Sequence, residues 1–215
     1  MDLTTFIDEL RLAEMYDGAI LRSDLDLQGW GSTHPVFEHV VSEYRPTSIV
    51  EVGSWKGASA SHMAGLLRQY DLAGKIVCVD TWMGDANTWP TKEAREQFFP
   101  RGGSLPILQR FMSNMITQDL HKTVFPLVAT SHYGGRAMVR LGLQVDAVYL
   151  DASHEEEDLY ADLKIYWDIV RPGGVLFGDD YAEGWPGVIK AANRFAADVG
   201  KAIYHFAEGK FLLRK

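Results

Sequence analysis

The chain has 215 residues, 47% of them hydrophobic and 23% charged, with a formal net charge of -8. That is enough apolar material for one buried core, which excludes general disorder and predicts a single domain over residues 1–215. No apolar run approaches the roughly 20 residues a bilayer span needs, and residues 1–12 mix charged with apolar side chains, so neither a membrane partner nor a leader is expected. Cys78 is the sole cysteine, which excludes an intrachain disulfide and a cysteine-based zinc site and fits a reducing compartment; cytoplasmic residence is the expectation. The acidic balance argues against nucleic acid, whose affinity comes largely from clustered Lys and Arg, and favours a small-molecule substrate.

In chain order, residues 1–45 read as helices, with Pro35 placed to start the one before the first strand. This segment is assigned as a lid or an oligomer contact, which leaves a homo-oligomer open. Four short branched apolar runs follow as buried strands, at Ser48–Val52, 75–79, 146–150 and 174–177. Helical spacing lies between them, at His62, Leu66, Leu67 and Tyr70, and at Leu159, Leu163, Tyr166, Trp167 and Val170. Strands apolar nearly throughout and alternating with helices predict an α/β fold, a mostly parallel sheet covered on both faces with right-handed connections. A further strand at 123–128 and a closing antiparallel hairpin, 202–206 with 210–213 turning at Glu208-Gly209, bring the count to about seven. Residues 82–103 break the pattern with Trp82, Trp89, Pro90, Phe98, Phe99, Pro100 and Gly102-Gly103. So long an insertion after a strand is a candidate substrate loop, with a surface packing helix as the alternative.

Three stretches carry chemistry. Glu51-Val52-Gly53-Ser54-Trp55-Lys56-Gly57 sits where the first strand turns into a helix, so its glycines let backbone approach a ligand and the helix start offers free N–H groups. Ligands in open α/β sheets bind beyond the carboxyl ends of the strands, which is where this turn falls. The spacing departs from G-x-G-x-x-G, which argues against a nicotinamide or flavin cofactor; a plain tight turn is the bland alternative. Asp80, 27 residues after Gly53, closes the second strand, where a carboxylate can accept from both hydroxyls of a ribose or simply cap the strand. Asp151 and His154 follow the fourth strand, and Asp179-Asp180 the fifth. Three acids converging at adjacent strand ends repel unless a cation sits between them, and oxygen ligands suit magnesium, manganese or calcium. Helix capping is the structural alternative for Asp179 and Asp180. The acidic run 155–158 suits a helix start, and Arg171-Pro172-Gly173-Gly174 reads as a helix stop before the fifth strand.

Over residues 48–190 these motifs resemble the class I S-adenosylmethionine-dependent methyltransferases. An acid followed by G-x-x-x-G is similar to their first motif. The acids after the fourth and fifth strands resemble those of metal-dependent small-molecule O-methyltransferases, with the macrocin-type sugar O-methyltransferases among the relatives. The resemblance implies a Rossmann-like sheet of seven strands with a C-terminal antiparallel hairpin, and S-adenosyl-L-methionine as cofactor. It implies cofactor contacts from Glu51, Gly53, Ser54, Gly57, Ser59, Asp80, Thr81, Ser131 and Asp151, Ser131 falling where adenine is met. It further implies a divalent cation, Mg2+ by expectation, on Asp151, Asp179 and Asp180, with Asp151 and His154 as the catalytic pair. Catechol-type and caffeoyl-CoA-type relatives carry a Lys where this chain has His154, a residue equally able to move a proton near neutral pH. The implied reaction is methyl transfer to a hydroxyl of a small molecule such as a sugar, a phenol or a natural product. Two rivals stand beside it: a cephalosporin-hydroxylase-like enzyme on the same scaffold, and a non-catalytic module that binds the cofactor.

Overall fold

The computed structural model of the chain describes residues 1–84 and 89–215. Helix α1 (Leu3–Glu9), a 3-10 turn (Leu12–Gly18) and α2 (Pro35–Tyr44) lead into an alternation of strands and helices. That alternation runs β1 (Ser48–Val52), α3 (Ala58–Gln69), β2 (Lys75–Asp80), α4 (Lys92–Phe98), α5 (Pro106–Thr117), β3 (Val124–Val128), α6 (Ser131–Arg140), β4 (Val145–Leu150), α7 (Glu156–Ile169), β5 (Val170–Gly178) and α8 (Pro186–Val199). The chain closes with β6 (Tyr204–Phe206) and β7 (Lys210–Arg214).

The seven strands form one sheet in the order β3-β2-β1-β4-β5-β7-β6, parallel from β3 to β5 and antiparallel at β7 and β6. Side chains of successive strand residues point to opposite faces, so a strand apolar at every position must be covered twice. Val50, Val77, Val148 and Leu176 join a core layer with α1, α6, α7 and α8. Their neighbours Ile49, Ile76, Ala147 and Val175 join a second layer with α2, α3 and α5. The expected seven-stranded Rossmann-like architecture with its closing hairpin is what forms. The strand order reverses between β1 and β4, so the loops leaving these two strands diverge and open a crevice at their carboxyl ends.

Two expectations for the peripheral segments are revised. Residues 19–34 are irregular rather than helical, and run as a strap held by side chains of α5: Ser113 accepts from the Arg22 amide at 2.9 Å, and Asn114 donates to the Asp26 carbonyl at 2.7 Å. The run Gln28-Gly29-Trp30-Gly31, polar or small but for the tryptophan, supplies no continuous apolar stripe for a helix to bury. The segment 82–103 divides: Trp82 and Phe98 are fully buried, Trp82 packs on Phe111, and its indole donates to the Trp55 carbonyl at 2.8 Å. Trp82 is therefore part of the core rather than of a mobile cover, while Trp89 stays exposed and meets Phe99 edge-on. Residues 85–88 of the expected loop lie outside the described residues. Arg171-Pro172-Gly173-Gly174, expected as a turn before the fifth strand, lies inside β5, which begins at Val170. Among the described residues no helix is long and apolar enough to cross a membrane.

Trp82→Ala is expected to cost about 3–5 kcal/mol in urea unfolding, the usual range for a truncated buried aromatic, whereas Trp89→Ala should stay within about 0.5 kcal/mol of the parent. A small effect at Trp82 would return it to the role of a surface lid.

Candidate functional site

The first turn of the crevice is set by backbone packing. Gly53 has φ +85°, and a Cβ there would lie 1.8 Å from the Asp151 carbonyl oxygen, so any side chain would push β1 and β4 apart. Its amide donates to the Val79 carbonyl at 2.9 Å, and the Asp151 amide donates to the Val52 carbonyl at 2.8 Å, so the ends of β2, β1 and β4 are locked in line. Gly57, at φ +86°, caps α3 and lets Phe111 and Met115 of α5 come within 3 Å of where its Cβ would stand.

Glu51 and Asp80 hold the loop from two sides. Glu51 is fully buried and accepts from the Ser59 hydroxyl at 2.6 Å and the Cys78 thiol at 3.2 Å; burial raises its pKa, only partly opposed by these donors. Its side chain therefore orders the turn from beneath. Asp80 accepts from the amides of Ser54 (2.8 Å), Trp55 (2.9 Å) and Trp82 (2.7 Å), and burial raises its pKa against the effect of these backbone donors. Because Asp80 is bonded to the glycine loop itself, the second strand end and the loop move as one piece.

The crevice has a volume of about 810 Å3, within the range of small-molecule sites. Gly53, Ser54, Ser59, Asp80, Thr81, Ser131, Asp151 and His154 of the expected set all border it, whereas Glu51, Gly57, Asp179 and Asp180 do not. Ser131 opens α6 behind the Thr130 cap, whose hydroxyl accepts from the Tyr133 amide at 3.2 Å. Aromatic walls come from residues that sequence reasoning passed over. Trp185 stacks on His154 with ring centres 4.2 Å apart, and Trp30, 71% exposed, reaches the crevice from the strap.

The strap is fastened to the glycine loop by Lys56, whose ammonium lies 2.7 Å from Asp26 and 3.2 Å from the Gln28 amide oxygen. The buried Asn114 side chain donates at once to the Asp26 carbonyl at 2.7 Å and the Lys56 carbonyl at 2.9 Å. Lys56 stood inside the recognised motif, but nothing in the sequence tied it to Asp26, 30 residues earlier.

At the acidic end, ligand atoms of Asp151, His154 and Asp180 lie within 4.8 Å of one another. His154 Nε2 is 2.6 Å from Asp180 Oδ2, and Asp180 sits at φ +60°, a left-handed conformation that aspartate tolerates better than most residues. Two carboxylates and an imidazole in this reach form a donor set that fits a divalent cation. Asp179 is placed differently from expectation. Its carboxylate is in direct contact with the Lys210 ammonium and receives the Tyr149 hydroxyl at 3.3 Å, so it is not gathered with the other two acids. Tyr149 also lies 3.2 Å from Asp151 Oδ2. Asp151 is raised to about 7, first by burial and then by the Asp179 charge, with Lys210 pulling the other way.

The fold is that of the Rossmann-like methyltransferases, and the comparisons with known proteins agree. A family described as Methyltransferase domain matches residues 50–181, more than half of the chain, and the chain belongs to that family. Among solved structures, the O-methyltransferase NovP is similar with a TM-score of 0.64 and 16% identity, over 99% of this chain and 98% of that one. CalS11, a TDP-rhamnose 3'-O-methyltransferase of calicheamicin biosynthesis, gives a TM-score of 0.61 at 16% identity over 99% and 94%. TomG from Streptomyces achromogenes, an O-methyltransferase of tomaymycin synthesis in complex with S-adenosylmethionine, gives 0.58 at 15% identity over 99% and 95%. The uncharacterized protein R132 of Acanthamoeba polyphaga mimivirus is 22% identical over 205 residues, 92% of this chain and 81% of its own length.

The raised Asp151 has a stability consequence. The unfolded chain releases this proton near 3.8 and the folded chain near 7, so the folded state binds more protons between these values. Stability contributed by this group is full at low pH, falls as pH rises through that window and is level above it, a change on the order of 4 kcal/mol. In the presence of a chelator, the melting temperature of the parent should fall from pH 5 to pH 7.5 more steeply than that of Asp151→Asn; parallel curves would remove the buried, repelled carboxyl from this account.

Proposed function

We propose that the protein is an S-adenosylmethionine-dependent O-methyltransferase acting on a hydroxyl of a small molecule, assisted by a divalent cation. The observation that carries this reading is the meeting, in one crevice at the strand-order reversal, of the Gly53 turn and Asp80 with Asp151, His154 and the stacked Trp185. The names of NovP, CalS11 and TomG as O-methyltransferases support hydroxyl acceptors as the class, beyond the fold they share.

S-adenosylmethionine, when bound, supplies an electrophilic methyl group on a sulfonium sulfur. The loop of Gly53 and Ser54 presents backbone where the methionine part approaches, Asp80 and Thr81 face the ribose side, and Ser131 lines the base side. A cation, when held by Asp151 and Asp180, supplies positive charge that makes the acceptor hydroxyl more acidic. His154 takes the hydroxyl proton, and the carboxylate of Asp180 at 2.6 Å stabilises the imidazolium that forms. Trp185 holds the imidazole plane from the opposite side, so the base meets the acceptor in one orientation. Trp30 and Trp185 wall the open end of the crevice and favour a planar or sugar-ring acceptor that stacks, while limiting water at the reacting atoms.

The direct test is transfer of radiolabelled methyl from S-adenosylmethionine to a panel of catechol, phenol and sugar acceptors. Transfer is expected for at least one class, with His154→Ala lowering kcat about 10^2- to 10^4-fold. S-adenosylhomocysteine affinity should then stay within about threefold of the parent, since the imidazole lies outside the loop that holds it. Hydroxylated rather than methylated product would overturn the reading.

A further inference from the structure

Lys210 is the most deeply buried basic residue among the described residues and the reaction leaves it unused, with 1% of its side chain exposed. The antiparallel register explains why it is there. Gly178 of β5 pairs with Phe211 of β7, so one step further along each strand sets Asp179 against Lys210. The ammonium touches the Asp179 carboxylate, lies 3.2 Å from the Tyr149 hydroxyl, and stands 5.8 Å and 5.6 Å from the ring centres of Phe37 and Tyr149. Gly31 of the strap closes over the pair: a Cβ there would lie 3.1 Å from Lys210 Nζ and 3.7 Å from Asp179 Oδ2. An ion pair this enclosed cannot exchange its partner for water cheaply, so Asp179 is held to Lys210.

The bond pattern extends to the open acids. Lys210 has only protons to give, so the Tyr149 oxygen accepts from it and the Tyr149 hydroxyl proton is directed to a carboxylate, Asp151 at 3.2 Å or Asp179 at 3.3 Å. With all three carboxylates ionised, one ammonium leaves two negative charges in this cluster, those of Asp151 and Asp180, which match one divalent ion.

We propose that Lys210 is a resident cation that withdraws Asp179 from the metal-binding set, so that of the three strand-end carboxylates only Asp151 and Asp180 hold the divalent ion. Asp179 and Lys210 are then positioning residues, acting on the site through Tyr149. The proposal rests on the cation half of the reading above and departs from the three-carboxylate set that the sequence implies.

The test titrates the full chain with MnCl2, reading free Mn2+ by electron paramagnetic resonance, with S-adenosylhomocysteine calorimetry and thermal melting run on every variant. Asp180→Asn should weaken Mn2+ at least tenfold, Asp179→Asn, which uncovers the ammonium but removes no ligand, should weaken it by clearly less, and Lys210→Met, which frees Asp179, should tighten it at least threefold. An Asp179→Asn loss as large as that of Asp180→Asn overturns the proposal. If Asp179→Asn fails to fold because it strands the buried ammonium, Lys210→Met decides alone: tighter Mn2+ supports the proposal, unchanged or weaker Mn2+ overturns it. Absence of Mn2+ uptake by the parent protein also overturns it, and retained S-adenosylhomocysteine binding in that case shows that the cofactor half of the functional reading stands.

Discussion

The contact between Gly53 and the Asp151 carbonyl is the constraint on which the rest of the site depends. A parallel sheet whose order reverses between β1 and β4 opens a crevice at that point, but only a residue without a side chain lets the two strand ends stay as close as they are. From this contact the glycine loop is carried towards α3, Asp80 ties it to β2 through the amides of Ser54 and Trp55, and Asp151 is delivered to the opposite wall. The chemistry of the crevice is thus a consequence of where adjacent strands are allowed to end.

Electrostatics divides the crevice into two ends. At the loop end the charged groups are spent on structure: Glu51 beneath the turn, Asp80 on the amides, and Lys56 on the strap through Asp26. At the acidic end burial and mutual repulsion leave Asp151 near 7, while His154 and Asp180 face each other beside the indole of Trp185. A loop that spends its charges internally is stiff and suits recognition. Acids that remain incompletely neutralised suit the capture of a cation and the handling of a proton.

The sheet was legible in the sequence because buried parallel strands leave continuous apolar runs, and the observed strands differ from the expected ones mainly at their ends. That Gly53, Asp80, Asp151 and His154 border one crevice was legible for a related reason: in this topology the strand ends open on the same space, so position in the pattern gives position in space. Lys210 was not, since its partner Asp179 lies 31 residues away and is met only through the β5-β7 register. Trp185 and the Lys56–Asp26 clasp were likewise hidden, as both depend on segments without periodicity. Trp82 shows the opposite error. An aromatic residue beside a long insertion looks like part of a cover, yet its indole nitrogen finds the Trp55 carbonyl and its rings fill the core against Phe111.

The central claim, that the crevice behind Gly53 receives an S-adenosyl nucleotide, is tested most directly by calorimetric titration of the chain with S-adenosylhomocysteine beside NADH. The account predicts dissociation for S-adenosylhomocysteine in about the micromolar range, equivalent to roughly 8 kcal/mol, and none detectable for NADH. Binding of NADH in its place, or of neither nucleotide, would contradict it.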